Sequence, residues 1–202
     1  MGARAQVLAG GRAAEQCVRR QEPALLLPSP RGLSLICSAA MAAEELTAFL
    51  AKTSFFGGLT PEVVGAVAGM LKEKRVSAGE LLFAEGDTGK SMYIVRDGAL
   101  IMKRHCSGGT DARLLMMRPG EFFGVTSLIE MEPRPFSCCA EKDSLLYELT
   151  NLDLYKLYKS DTKTYILLLQ NIARELCRRL RKAGERIAAL EDALHAAAGK
   201  QG

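Results

Sequence analysis

The chain has 202 residues, 48% hydrophobic and 25% charged, with a formal net charge of +4, which is the composition of a globular protein with one well-filled core and room for an appended element. The positive charge is local: five arginines against Glu15 and Glu22 within residues 1–40, and six lysines or arginines against Glu175 and Glu185 within residues 172–187, so no general nucleic-acid footprint follows. Six scattered cysteines without a C-x-x-C pair, and only His105 and His195 as histidines, argue against a disulfide framework and most metal chemistry and make a reducing cytoplasm the simpler setting.

Residues 1–40 lack helical or strand periodicity and carry Pro23, Pro28 and Pro30; they read as a disordered extension. Residues 33–40 have the apolar character of a short signal core, but the prolines and Arg31 interrupt any longer run. Met41 is a second candidate initiator, and position six lacks the hydroxyl of a myristoylation signal. No stretch reaches 18 consecutive apolar residues, so no membrane span is expected.

From Glu44 the pattern sharpens. Leu46, Phe49 and Leu50 share one helical face, and SFFGGLTPEVVGAVAGM predicts a turn at Gly57 and Gly58, then a helix with Thr60 as N-cap and Pro61 as its first residue. Between Lys74 and Leu149 the period shortens. The runs ELLFAE, SMYIVRDG, ALIMKRH, ARLLMMRPG and SLLYELT, separated by EGDTGK, RDG, CSGGTD and RPGE, predict a compact antiparallel sandwich or barrel. The adjacent Cys138 and Cys139 would face opposite sides of a strand.

Residues 120–137 read GEFFGVTSLIEMEPRPFS. A guanidinium set between two prolines is either solvated at the surface or a fork of donors able to meet two oxygens of a phosphate. Farther on, Ile166, Leu169, Ala173, Leu176, Leu180, Ala183, Ile187, Leu190 and Leu194 form an a/d seam four heptads long. Leu167, Leu168 and Ile172 are expected to pack on the chain's own domain. Beyond Arg178 the other helix faces are charged, so the seam there calls for a partner helix, with Arg186 and Glu191 placed to pair between parallel copies. Gly184 weakens this helix by about 1 kcal/mol relative to alanine.

The stretch LLFAEGDTGKSMYIVRDGALIMKR, followed by RPGEFFG and PRPFSCCAEKDSLLYEL, resembles the cyclic nucleotide-binding domain of cAMP receptor proteins and of cAMP-dependent protein kinase regulatory subunits, over about residues 55–190. The resemblance implies an α+β fold: an antiparallel β-roll, double-stranded and jelly-roll-like, flanked by N-terminal helices and a long C-terminal helix. It divides the chain into the extension 1–40, the roll with its helices at 41–160 and a dimerisation helix at 161–198. Gly79, Gly86, Gly98, Gly120 and Gly124 fall at the corners of such a roll. Gly124, Val125, Thr126, Ser127, Arg134, Pro135, Phe136 and Ser137 fall on its phosphate-binding cassette, where amides of a short helix and one arginine cradle a cyclic phosphate. Leu180, Ala183 and Gly184 fall on the helix that in the family both dimerises and lids the ligand. The implied ligand is cAMP or cGMP, with no other cofactor, no metal and no catalytic residue. The implied partners are a second copy of the chain and an effector protein. Eight residues after Leu194 are too few for a helix-turn-helix, so sequence-specific DNA binding is not expected.

Three departures bear on the ligand. Where the family reads Phe-Gly-Glu, the glutamate accepting from a ribose hydroxyl, this chain has Phe123, Gly124 and Val125; Pro135 has no N–H to offer a phosphate; and the Thr-Ser pair that reads adenine in cAMP receptor proteins is Ala183 and Gly184 here. Each missing hydrogen bond costs about 1–3 kcal/mol, so tight cAMP binding in the usual pose is not expected. Whether Thr126 or Ser127 takes over the ribose contact, or Glu130 or Glu132 folds back, stays open. Two functions follow: a regulatory module that senses a cyclic nucleotide or another small phosphate-bearing effector and signals through its helix, or a structural dimerisation module with a degenerate pocket. A cupin-type metal enzyme would need several converging histidines, which two in unrelated segments do not supply.

Overall fold

The computed structural model describes residues 42–105 and 111–198, all within the unit Ser38–Gly202. The extension read as disordered, and most of the CSGGTD turn, lie outside the described residues. Helix α1 (residues 42–51) leads into a 3-10 turn, Ser54–Phe56, and helix α2 (Pro61–Ala68). Five strands follow, β1 (Lys72–Val76), β2 (Leu81–Phe83), β3 (Ser91–Asp97), β4 (Leu100–His105) and β5 (Asp111–Met117). After the short β6 (Phe122–Phe123) come helix α3 (Val125–Glu130), strands β7 (Ser137–Ala140) and β8 (Ser144–Thr150), and helices α4 (Asn151–Ser160) and α5 (Thr162–Ala198). Among the described residues no helix is long and apolar enough to cross a membrane.

The strands form two antiparallel sheets, ordered β1-β8-β3-β6 and β2-β7-β4-β5. This is the α+β roll with helices at both ends that the sequence resemblance implied. Alternation along β3 explains its unbroken apolar run: Met92 and Ile94 join the core under the helices, while Tyr93 and Val95 join the core between the sheets. The same rule separates the paired phenylalanines of β6, Phe122 to the helices and Phe123 to the roll interior, and turns Cys138 inward while Cys139 is half-buried.

Turn chemistry fixes the corners. Gly79, Gly86, Gly98, Gly120 and Gly124 have φ of 83°, 88°, 90°, 86° and 81°, a region that favours glycine. At Gly98 a Cβ would also stand 2.2 Å from Ser144 Oγ, so the β3–β4 turn packs directly on the start of β8. Pro61 opens α2 behind Thr60, as its spacing predicts. Thr150 caps α4 through a capping box with Asp153.

The base of α5 is bound to the chain's own core. Leu168 and Ile172 are buried with Phe55 and Phe122, and Asn171 Nδ2 donates to the carbonyls of Phe55 and Gly57 at 2.9 and 2.8 Å. Leu169 and Leu176 pack partly against the same core. Past that point the seam is bare, with Leu180, Ile187, Leu190 and Leu194 exposed.

Candidate anion-binding site

Arg134 is 4% exposed, so it is a core residue rather than a solvated loop residue. Its main chain is pinned on both sides to the loop between β2 and β3: Arg134 N–H donates to Asp87 O (2.8 Å), Gly86 N–H donates to Arg134 O (2.9 Å), and Thr88 bridges Pro133. With its backbone held there, the side chain turns inward. Nη2 donates to Ser91 O at 2.7 Å and Nη1 to Gly124 O at 3.2 Å. The guanidinium lies over the Phe83 ring, Cζ 4.3 Å from its centroid, with Tyr93 5.9 Å away. Phe83, Tyr93 and Phe123 pack together beside it, filling this part of the roll interior.

A buried cation without a partner anion is costly, since desolvation penalises the charged form. Burial pulls the Arg134 guanidinium below the ordinary arginine value, while Tyr93, Cys138, Glu148 and Asp87 draw it back up. An arginine nevertheless stays protonated in proteins. No carboxylate among the described residues forms an ion pair with it, and Glu130 and Glu132, the candidates for folding back, are exposed. The polar chain behind the arginine runs from Ser91 Oγ to Tyr93 Oη (3.1 Å) and on to Glu148 Oε1 (3.2 Å).

Two glycines make room for this side chain. Gly124, at φ 81°, is the N-cap of α3, and a Cβ there would stand 2.7 Å from Arg134 Nη1. A Cβ on Gly89 would stand 2.2 Å from Ser127 Cβ, 2.8 Å from Ser127 Oγ and 3.1 Å from Arg134 Nε. Helix α3 ends on Met131 in the left-handed region at φ 57°.

The residues picked from the sequence divide into distinct environments. Gly124, Ser127 and Arg134 come together. Ser137 Oγ accepts from Glu85 N–H at 2.9 Å, which ties the β2–β3 loop to β7, and Phe136 packs against the roll interior. Thr126 is half-buried and Pro135 exposed. Val125 is 2% exposed, in the core with Met92, Phe122 and Leu128. Leu180, Ala183 and Gly184, the lid residues of the sequence reading, are exposed, and a Cβ on Gly184 would meet nothing within 4 Å. Sequence reasoning missed Phe83, Gly89, Ser91, Tyr93 and Arg179. The first four reach Arg134 from β2, the β2–β3 loop and β3, and no local spacing announces them.

Comparison with known proteins agrees with the fold. Residues 73–161 match the family model for the Cyclic nucleotide-binding domain. The chain is 33% identical over 128 residues to the Cyclic AMP receptor protein of Thermus thermophilus, covering 63% of this chain and 57% of that one. It is 26% identical over 118 residues to the cAMP-dependent protein kinase regulatory subunit of Blastocladiella emersonii, covering 58% of this chain and 29% of that one. The crystal structure of the Thermus thermophilus Catabolite Activator Protein superposes with a TM-score of 0.62 at 31% identity, covering 69% of this chain and 63% of the other. The chain thus spans less than two thirds of the length of each of these relatives.

Proposed function

Starting from a chain that carries a cyclic nucleotide-binding domain over residues 73–161, we propose that it is a regulatory module that senses a cyclic nucleotide or another small phosphate-bearing effector and signals through α5 to a second copy of itself and to an effector protein. The observation that carries this reading is the buried Arg134, a full positive charge held in a glycine-lined cradle with no ion-pair partner among the described residues. A binding role needs no catalytic group. The relatives' names, receptor protein and regulatory subunit, support the regulatory class.

The test is a calorimetric titration of cAMP, cGMP and inorganic phosphate into the protein and into Arg134→Gln. At least one of these ligands should bind the parent and fail to bind the variant, because the cyclic or free phosphate loses the guanidinium that would meet it.

A second reading, a structural dimerisation module with a filled pocket, is favoured by one observation. Ser91 O, Gly124 O and the Phe83 ring already occupy much of the guanidinium. Absence of binding by the parent protein to all three ligands selects this reading.

A further inference from the structure

Helix α4 presents an apolar face that the fold does not use. Leu154 and Leu157 bury its inner side in the core, yet Leu152, Tyr155 and Tyr158 are 61%, 54% and 43% exposed on the outer side. Spaced by three, they form a ridge along the helix. The rings of Tyr155 and Tyr158 are 6.4 Å apart, and Tyr158 meets Tyr165 of α5 edge-on at 5.3 Å. Tyr165 packs partly against the core, which fixes the ridge to the body of the domain. Asn151 Nδ2 donates to Leu128 O at 3.4 Å, bringing the exposed Ile129 and Met131 at the end of α3 beside the first turn of α4. Single exposed apolar side chains are ordinary, but a contiguous row rimmed by charge marks an interaction surface.

The rim on α4 has one sign. Lys159 Nζ lies 5.5 and 5.6 Å from the Tyr155 and Tyr158 rings and makes no ion pair among the described residues. Lys156 is exposed beside it. The one acid of the helix, Asp153, is buried and engaged in the capping box. We propose that the outer face of α4 is a docking surface for an acidic amphipathic helix of another protein, its apolar side on Leu152, Tyr155 and Tyr158 and its carboxylates on Lys156 and Lys159. Two features choose this occupant. A helix offers a ridge of side chains and no free strand edge, so helix-on-helix packing is the mode open to it and strand addition is not. Glu130 and Glu132 stand exposed beside Ile129 and Met131, and acid at that margin repels an anionic membrane. The surface uses neither Arg134 nor the α5 seam, so the inference goes beyond the sensing reading and does not depend on it.

The test is fluorescence anisotropy of a labelled peptide of about 18 residues, five helical turns, with leucine on one face and glutamate on the other, titrated with the full chain at low salt. Controls are a peptide of the same composition in scrambled order, one with lysine for glutamate, and vesicles of phosphatidylcholine with and without phosphatidylserine. The acidic amphipathic peptide should bind the parent and the two control peptides should not. Tyr155→Ala and Lys159→Glu should each weaken its Kd about tenfold or more at an unchanged unfolding midpoint, since both side chains are exposed. Lys159→Gln should act in the same direction, and it decides the matter if Lys159→Glu lowers the midpoint. The double variant Leu180→Lys, Ile187→Lys should bind as the parent does, which separates this face from the α5 seam. No binding of the peptide overturns the proposal. Equal binding by the α4 variants, or loss of binding in the seam variant, places the peptide elsewhere and overturns it too. Binding to phosphatidylserine vesicles without binding to the peptide replaces the partner helix with a lipid surface.

Discussion

Arg179 of α5 and Phe122 of β6 are joined by a 2.5 Å hydrogen bond from Nη2 to the carbonyl oxygen, and the guanidinium lies 5.5 Å from the Phe122 ring. Glu175, one turn back, holds Arg179 Nε at 2.8 Å. The long helix is thereby fastened to the strand that leads through Phe123 and Gly124 into α3.

Breaking that fastening gives a first prediction. Arg179→Met should lower unfolding stability by about 1 kcal/mol, the net worth of a partly exposed hydrogen bond. It should also speed amide hydrogen exchange in α5 beyond residue 179 while leaving β3 and β8 protected. Unchanged exchange in α5 would mean that Leu168, Ile172 and Asn171 at its base, with Arg186 donating to Leu114 O at 3.0 Å, suffice to hold the helix.

A second prediction concerns assembly. Leu180 and Ile187 are 74% and 61% exposed on the seam, whereas Leu176 packs partly on the core, so the pair Leu180→Lys and Ile187→Lys tests association without disturbing the fold. Sedimentation should find the parent dimeric at about 50 μM, well above a micromolar Kd, and the variant monomeric with the same unfolding midpoint. A monomeric parent would show that the seam has no second copy as its partner.

Position 125 yields a third. The family's glutamate, restored as Val125→Glu, would enter an apolar core and not a ribose pocket, at a cost of about 3 kcal/mol or more at neutral pH. Burial raises the folded-state pKa of such a carboxyl above its unfolded value near 4.3. The deficit is therefore smallest below about pH 4 and grows as pH rises through the folded pKa. Denaturant unfolding of both proteins at several pH values checks this, and a deficit that does not change with pH would place the new carboxylate in solvent.

The capping box of α4 gives a fourth. Burial pushes the Asp153 carboxyl up, but hydrogen bonds from the Thr150 side chain and backbone and from Lys156 outweigh it and hold the group below the usual aspartate value. A depressed folded pKa stabilises the fold above the unfolded pKa near 3.9, and that stability is lost as pH falls through the folded value. Thr150→Ala should cost about 1 kcal/mol at pH 7 and flatten the acid limb of the stability profile. An acid limb identical to the parent's would assign it to other carboxylates.

Much of the roll was legible because its turns and apolar runs are local signals. SMYIVRDG and SLLYELT mark β3 and β8, and the corner glycines all take positive φ. Strand β1 was not, since KEKRV is charged at four of five positions; it is an edge strand paired only with β8, where charge on the open side is tolerated and discourages further pairing. Arg134 stood out in the sequence from its order between glycines and prolines. Its surroundings were not, because Phe83, Gly89, Ser91 and Tyr93 reach it only after two sheets close on each other. Nor could spacing distinguish the two faces of α3, which send Val125 to the core and Ser127 against Gly89.

The bare outer half of α5 has a mechanical consequence. A helix advances about 1.5 Å per residue, so Ala198 stands roughly 18 Å along a stiff rod beyond Arg186, whose Nη1 donates to Leu114 O at 3.0 Å. A rocking of about 10° at that residue would sweep the far end through roughly 3 Å, about half a turn of helix pitch. A small shift at that anchor would thereby be enlarged along the exposed apolar stripe.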